Sequence, residues 1–202
     1  TWGLLPFLQT LSLDGRQQPL IVYGPTSSEI LDTLKTDGID ATVPQNTASA
    51  ELLNQYRAWF ALGGTSTHLG YEIRWLLGDH QSGRWVEFID DASDLMWHDS
   101  MPQPNSFDTF RMDSIPTHHS VPSCAWQLSR KERKGTFDRD KATLAGLSQD
   151  ERRILSEGVD IEKKNGEILR ASQFRGASKP AMSMIVSGDT AEQSIQPVAP
   201  VT

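Results

Sequence analysis

Pro19-Leu20-Ile21-Val22-Tyr23 is a short β-branched and aromatic run that stops at Gly24-Pro25, and Thr26-Ser27-Ser28-Glu29 follows at once. The run reads as a buried strand entering a tight turn. The hydroxyl residues, with Glu three positions on from Thr26, offer a helix N-cap, and Ile30, Leu31 and Leu34 then recur at helical spacing. Strand, turn and capped helix is the unit from which α/β folds are built, so the first quarter of the chain already constrains its class.

The remaining pattern adds antiparallel sheet. A second helix is expected over 51–62, where Leu52, Leu53, Tyr56, Trp59 and Phe60 can line one face. From Tyr71 the period falls to two, giving a strand over 71–77, a turn around 78–83 and a strand over 84–89. Residues 90–105 are acidic and Pro-containing and read as loop. The stretch 107–115 alternates and delivers the chain to His118-His119, and 124–128 resumes as strand. From 129 to 179 the text is helical and polar, with a capping box at Ser148-Gln149-Asp150-Glu151 and a turn at Asn165-Gly166. The apolar run Met182 to Val186 reads as a closing strand that ends in Ser187-Gly188-Asp189-Thr190. The tail, 191–202, has no period and is expected to fray. No internal repeat is present.

Composition excludes several classes. A chain of 202 residues with 37% apolar content can bury a sizeable core. No apolar run approaches the ~20 residues of a membrane-spanning helix, and no signal-peptide pattern opens the chain, so it reads as soluble and cytoplasmic. The one cysteine, Cys124, cannot pair internally, which fits a reducing compartment; it reads as a small buried hydrophobe, since no base is positioned to activate it. Neither a Gly-rich phosphate loop nor a Ser nucleophile elbow is present, which leaves nucleotide-dependent chemistry unsupported.

The formal charge of −7 is unevenly spread. Residues 129–180 hold thirteen Lys/Arg against nine Asp/Glu, net +4, so the rest of the chain carries −11. The densest basic part is Arg130-Lys131-Glu132-Arg133-Lys134. It reads either as a solvated loop of mixed charge or as a phosphate-contacting arm. Two residues are candidates for metal chemistry. His119 ends an extended segment, at a strand-loop junction of the kind where sites collect; its neighbour His118 faces the other way if the backbone there is extended. Asp189 follows an apolar run, where a carboxylate needs a cation or backbone donors; the alternative is an ordinary Asp in a Gly-containing turn.

Taken in order, these segments resemble the ribonuclease Z family, zinc phosphodiesterases that remove the 3′ trailer of precursor tRNA. Trp2-Gly3-Leu4-Leu5-Pro6-Phe7-Leu8 looks like that family's Gly-Leu-Pro helix, and Pro19 to Pro25 is similar to its next strand and turn. His119-Ser120-Val121-Pro122-Ser123-Cys124-Ala125-Trp126 resembles its His-x-Val-x-x-Phe-Gly-Tyr segment. Lys134-Gly135-Thr136-Phe137-Asp138, with Lys141-Ala142 and Leu144-Ala145-Gly146-Leu147, looks like the start of its protruding arm, and Lys179 to Thr190 like its strand closing in Ser-Gly-Asp-Thr. The resemblance implies an incomplete metallo-β-lactamase-like αββα sandwich: a partial body over 1–128, a basic arm over 129–180, a returning core strand over 181–190 and a tail over 191–202. It implies two zinc ions, with His119 a terminal ligand of one and Asp189 bridging both. The paired cations would activate a water for in-line attack on the phosphodiester. Arg130, Lys131, Arg133, Lys134, Arg139 and Lys141 would contact tRNA phosphates, and the protein would be a homodimer. The family's His-x-His-x-Asp-His motif and its later His ligands have no counterpart in these residues. The full protein is therefore expected to be the enzyme, and the 202 residues alone inactive. Rival expectations are another hydrolase of the same superfamily, or a metal-free module for binding or assembly.

Overall fold

A computed structural model describes residues 3–62, 69–89, 94–104, 109–188, 190, 191, 197 and 198. The chain divides into two compact units, Thr1–Leu128 with Met184–Ala199, and Ser129–Ser183 with Pro200–Thr202. Among the described residues no helix is long and apolar enough to cross a membrane.

The first unit is built on a four-stranded sheet of order β1-β2-β3-β4, with β1 Leu20–Pro25, β2 Ile73–Gly78, β3 Trp85–Ile89 and β4 Met96–His98. β1 and β2 are parallel, with Gly24 opposite Leu77; the other pairings are antiparallel. A parallel pair needs a crossover, and α2 (Ser28–Asp37) and α3 (Glu51–Ala61) supply it. The α2 cap is Ser27, whose hydroxyl accepts from the Ile30 amide at 3.4 Å. One face of the sheet presents Ile73, Trp75, Leu77, Val86 and Phe88 to Leu31 and Leu34 of α2 and to Leu53, Tyr56 and Trp59 of α3. Full burial of such side chains is worth about 1.5–3 kcal/mol apiece. α1 (Leu4–Leu13) joins this layer through Leu8, whose carbonyl accepts from the Tyr71 hydroxyl at 2.7 Å.

On the other face Tyr23 meets Trp85 and Trp126 edge to face, with centroids 5.9 and 5.8 Å apart. Trp126 lies on β6 (Cys124–Arg130), the middle strand of a second sheet of order β5-β6-β9, where β5 is Phe110–Pro116 and β9 Met182–Val186. The architecture is thus mixed α/β, with helices on one side of the first sheet and a second sheet against the other. Glu87, 1% exposed, is buried on β3 and held by Arg74 at 2.5 Å and His98 at 3.0 Å. Burial alone would raise its carboxyl; Arg74, with His98, holds it below the ordinary range. Cys124 is buried, and burial pushes its thiol up to about 12.

Three expectations are revised. β4 falls within the stretch read as loop, recruited by pairing with Trp85–Glu87. The tail is not all frayed: the Val198 amide donates to Gln127 Oε1 at 2.8 Å, and Gln127 Nε2 donates back to the Val198 carbonyl at 2.9 Å. The third revision concerns the polar stretch from 129 onward, which is less helical than its text.

That stretch forms the second unit, from α4 (Arg139–Leu144), α5 (Gln149–Glu157), the two-stranded hairpin β7 (Ile161–Glu162) and β8 (Ile168–Leu169), and a 3-10 turn at Ala171–Phe174. Its core is small: Ala142, Leu147, Leu155, Leu169, Ala171 and Phe174. Polar closures therefore do more here. Asp138 caps α4 by accepting from the Lys141 amide at 2.8 Å, and the Ser148 box caps α5, its amide donating to Glu151 Oε2 at 2.7 Å. Gly158, at φ 94°, ends α5 in the left-handed conformation that glycine adopts freely. Gly135 is required for another reason: a Cβ there would sit 1.9 Å from the Gly176 carbonyl oxygen, a backbone atom that cannot swing aside. Gly135→Ala is expected to lower stability by about 2–3 kcal/mol, the upper range for overpacking. Gly3→Ala, whose Cβ meets nothing within 4 Å, should leave the thermal melt unchanged. Equal melts for the two variants would refute the close packing of 135 on 176.

Candidate functional site

Because β1 and β2 run parallel, their carboxyl ends, Pro25 and Gly78, lie side by side, and the loops that follow them share one edge of the sheet. Ligands of α/β sheets collect at that edge. Here Thr26 to Glu29, Asp79 to Gln81 and Pro116 to Ser123 enclose a polar cavity of about 500 Å³.

One wall is fixed by Asp79, 6% exposed. It takes hydrogen bonds from the hydroxyls of Ser28 and Ser82, the latter at 2.6 Å, and from the amides of Gln81 and Ser82 at 3.1 and 3.3 Å. Burial pushes its carboxyl up, and these four donors outweigh it, holding the group below the ordinary carboxylate range. With both oxygens so occupied, Asp79 is a brace between the β2–β3 turn and the first turn of α2.

His80, next to it, has no metal-ligand spacing to the other histidines of the sequence. Its ring stands edge-on to Trp85 and Trp126, with centroids 5.4 and 6.1 Å away. Both ring nitrogens are buried and have no hydrogen-bond partner among the described residues. Burial holds the imidazole neutral, bringing its pKa from 6.5 down to about 4, against a smaller opposing pull from Asp79. No local signal in the sequence marks this, since one of its neighbours comes from a distant strand.

The opposite wall carries the nominated ligand. The loop 117–123 is closed by the Thr117 amide donating to the Ser123 carbonyl at 3.3 Å. His119 Nδ1 accepts weakly from the Val121 amide at 3.4 Å, with the Ser120 hydroxyl at 3.5 Å. Residues 117–119 are irregular, so His118 and His119 both line the cavity, where an extended backbone would have pointed them apart. Asp189 lies outside the described residues. Nearby chain on either side of it is described: Ser187 and Gly188 follow β9, and the Ala191 amide donates to the His118 carbonyl at 3.0 Å. No group of three or more His, Cys, Asp or Glu among the described residues is placed to hold a metal ion. A zinc site needs three or four protein ligands, so the described donors do not fit that ion by themselves.

The six nominated RNA-contacting cations lie in the second unit or its entry strand. Arg130 reaches the Pro180 carbonyl at 3.5 Å and Met182 Sδ at 3.1 Å, and Lys134 donates to the Glu157 carbonyl at the end of α5 at 3.2 Å. The Arg133 backbone forms an antiparallel bridge with Lys179, and Arg139 and Lys141 stand on exposed positions of α4. Lys131 is exposed on the segment between β6 and α4.

Fold and cavity define an α/β protein whose candidate site is made by loops at the carboxyl ends of parallel strands. The chain is a distant relative of ribonuclease Z. It is 24% identical over 190 residues to "Ribonuclease Z" of Methanosarcina mazei and 22% identical over 189 residues to that of Myxococcus xanthus, each alignment covering 93% of this chain and 46% of the relative. Against "Ribonuclease Z" of Prochlorococcus marinus it is 26% identical over 130 residues, 64% of this chain and 36% of the relative. The chain thus spans less than half the length of these curated relatives. No family model matches it.

The orphaned His80 makes a test of the cavity wall. Protonation is harder in the folded state, so its contribution to stability is complete above pH 6.5 and is lost as pH falls from 6.5 towards 4, by on the order of 3 kcal/mol. His80→Phe keeps a ring between the two tryptophans and removes both unsatisfied nitrogens. Urea unfolding should show it more stable than the parent at pH 7 by about 1–2 kcal/mol, with a flatter loss down to pH 4.5. A parent-like acid limb would show that His80 is not the titrating group.

Proposed function

We propose that this chain is part of a ribonuclease Z-like endonuclease that removes the 3′ trailer of precursor tRNA, on an αββα fold of the metallo-β-lactamase type. One observation carries the reading: similarity to ribonuclease Z runs collinearly over 93% of the chain, and the His119 segment lines a polar cavity at the carboxyl ends of β1 and β2. In this reading His119 presents an imidazole to the cavity, and Asp189 is its partner from the segment after β9. Asp79 and Ser28 hold the facing wall in place, and the basic second unit grips the tRNA through phosphates. The resemblance alone supports zinc as the metal and a homodimeric state, and a cytoplasmic location rests on the sequence composition. Because the described donors do not complete a zinc site, no chemical step is assigned to them.

The test uses the open reading frame that encodes this chain, expressed in full, and a precursor tRNA transcript carrying a 3′ trailer. Release of the trailer is expected, with His119→Ala and Asp189→Ala each reducing the rate by roughly 100-fold or more, as loss of a ligand exceeds loss of its supporting partners. Lys35→Ala, in the last turn of α2, should match the parent. Trailer release at the parental rate by His119→Ala would sink the reading.

A further inference from the structure

Three polar atoms that the fold leaves unsatisfied belong to residues lining one cavity, the polar one at the carboxyl ends of β1 and β2. They are both ring nitrogens of His80 and the hydroxyl of Thr117, all buried and without a hydrogen-bond partner among the described residues. A buried polar group in that condition costs stability. Two such side chains at one site mark a place where the fold gives up stability for a contact it does not make by itself.

The lining narrows what that contact can be. Among its described residues there is no Lys or Arg, whereas Glu29 and Asp79 contribute carboxylates, so these side chains supply no fixed cation for a phosphate. The unsatisfied groups are themselves neutral, since burial holds His80 uncharged. A neutral imidazole has one donor and one acceptor nitrogen, and a threonine hydroxyl is both donor and acceptor. Their match is a ligand hydroxyl, which also donates and accepts through one atom. A phosphate oxygen only accepts. In a ribonucleotide strand the 2′-hydroxyl is such a group, and a DNA strand lacks it.

The two walls differ in how firmly they are held. His80 stands edge-on to Trp85 and Trp126, packed from two strands. Thr117 opens the loop 117–123, whose closing bond to the Ser123 carbonyl is 3.3 Å, beyond the usual range of about 2.7–3.2 Å. We propose, on the nuclease reading above, that His80 and Thr117 receive the 2′-hydroxyl of a ribose beside the scissile phosphate, admitted as the loop 117–123 shifts, and so select RNA over DNA.

Two precursor tRNA substrates, one all-ribose and one 2′-deoxy at both nucleotides flanking the cut, test this with the full open reading frame product. The parent is expected to cleave the deoxy substrate with kcat/KM lower by about 10-fold or more, because a site built for a hydroxyl rejects the analogue without it. His80→Phe and Thr117→Val should each cleave the two substrates within about 3-fold of one another, the ribose substrate falling to the deoxy level. Loss of fold does not explain that outcome for His80→Phe, which removes two unsatisfied nitrogens and keeps the ring. Lys35→Ala should retain the parental preference.

Nitrogen-15 histidine spectra of the 202-residue chain need no cleavage. The His80 ring signals, identified by their absence from His80→Phe, should move with a single-stranded RNA pentamer and stay in place with its 2′-deoxy counterpart. The proposal is overturned if both variants keep the parental preference, if the two pentamers shift His80 equally, or if neither does, the result for a site satisfied by water alone. RNA-only shifts without trailer release would uphold the ribose contact and defeat the nuclease reading. Trailer release with no preference for the 2′-hydroxyl would do the reverse.

Discussion

A buried carboxylate held by neutral hydrogen-bond donors is the constraint on which the candidate site depends. Asp79 lies at the end of β2, where burial disfavours its charge, and it remains ionised because two hydroxyls and two amides converge on it. One of those hydroxyls belongs to Ser28, in the first turn of α2. The bond therefore couples the end of one parallel strand to the helix that follows the other. Cavity shape and helix placement are set together, and a change at either residue is felt at both.

The two units solve the stability problem differently. The first has a core of aromatic and aliphatic side chains on one face of a twisted sheet, with a second polar layer of Glu87, Arg74 and His98 on the other. The second has, among the described residues, a core cluster of six buried apolar residues and relies on caps, a left-handed glycine and arginines bonded to backbone carbonyls. Charge divides along the same line, acidic in the larger part of the sequence and basic in the segment 129–180. A basic surface that is also structurally engaged has only part of its charge left for a partner.

What was legible in the sequence was local. The strand before Gly24-Pro25, the capped helix after it, the hairpin over 71–89 and the Ser148 box each rest on neighbours within a few residues, and each is present. What was illegible depends on distant partners. β4 is three residues long and exists because Trp85–Glu87 offers it an edge. Val198 is ordered because Gln127 presents an amide to it. His80 is orphaned only once Trp126 arrives, and His118 joins His119 because the loop 117–123 turns back on itself. Of the two nominated metal ligands, His119 was legible as a residue at a strand-loop junction, and its place on a cavity wall agrees with that; Asp189 lies beyond the described residues.

Cys124 has a use that follows from its setting. It is the one thiol in 202 residues, sits at the start of β6, and is held protonated by burial. Thiolate is the reactive species, so an alkylating reagent finds little to attack in the closed molecule and an ordinary cysteine once the second sheet opens. The chain carries its own single-site reporter, and the labelling rate at one position measures how often the start of β6 is uncovered.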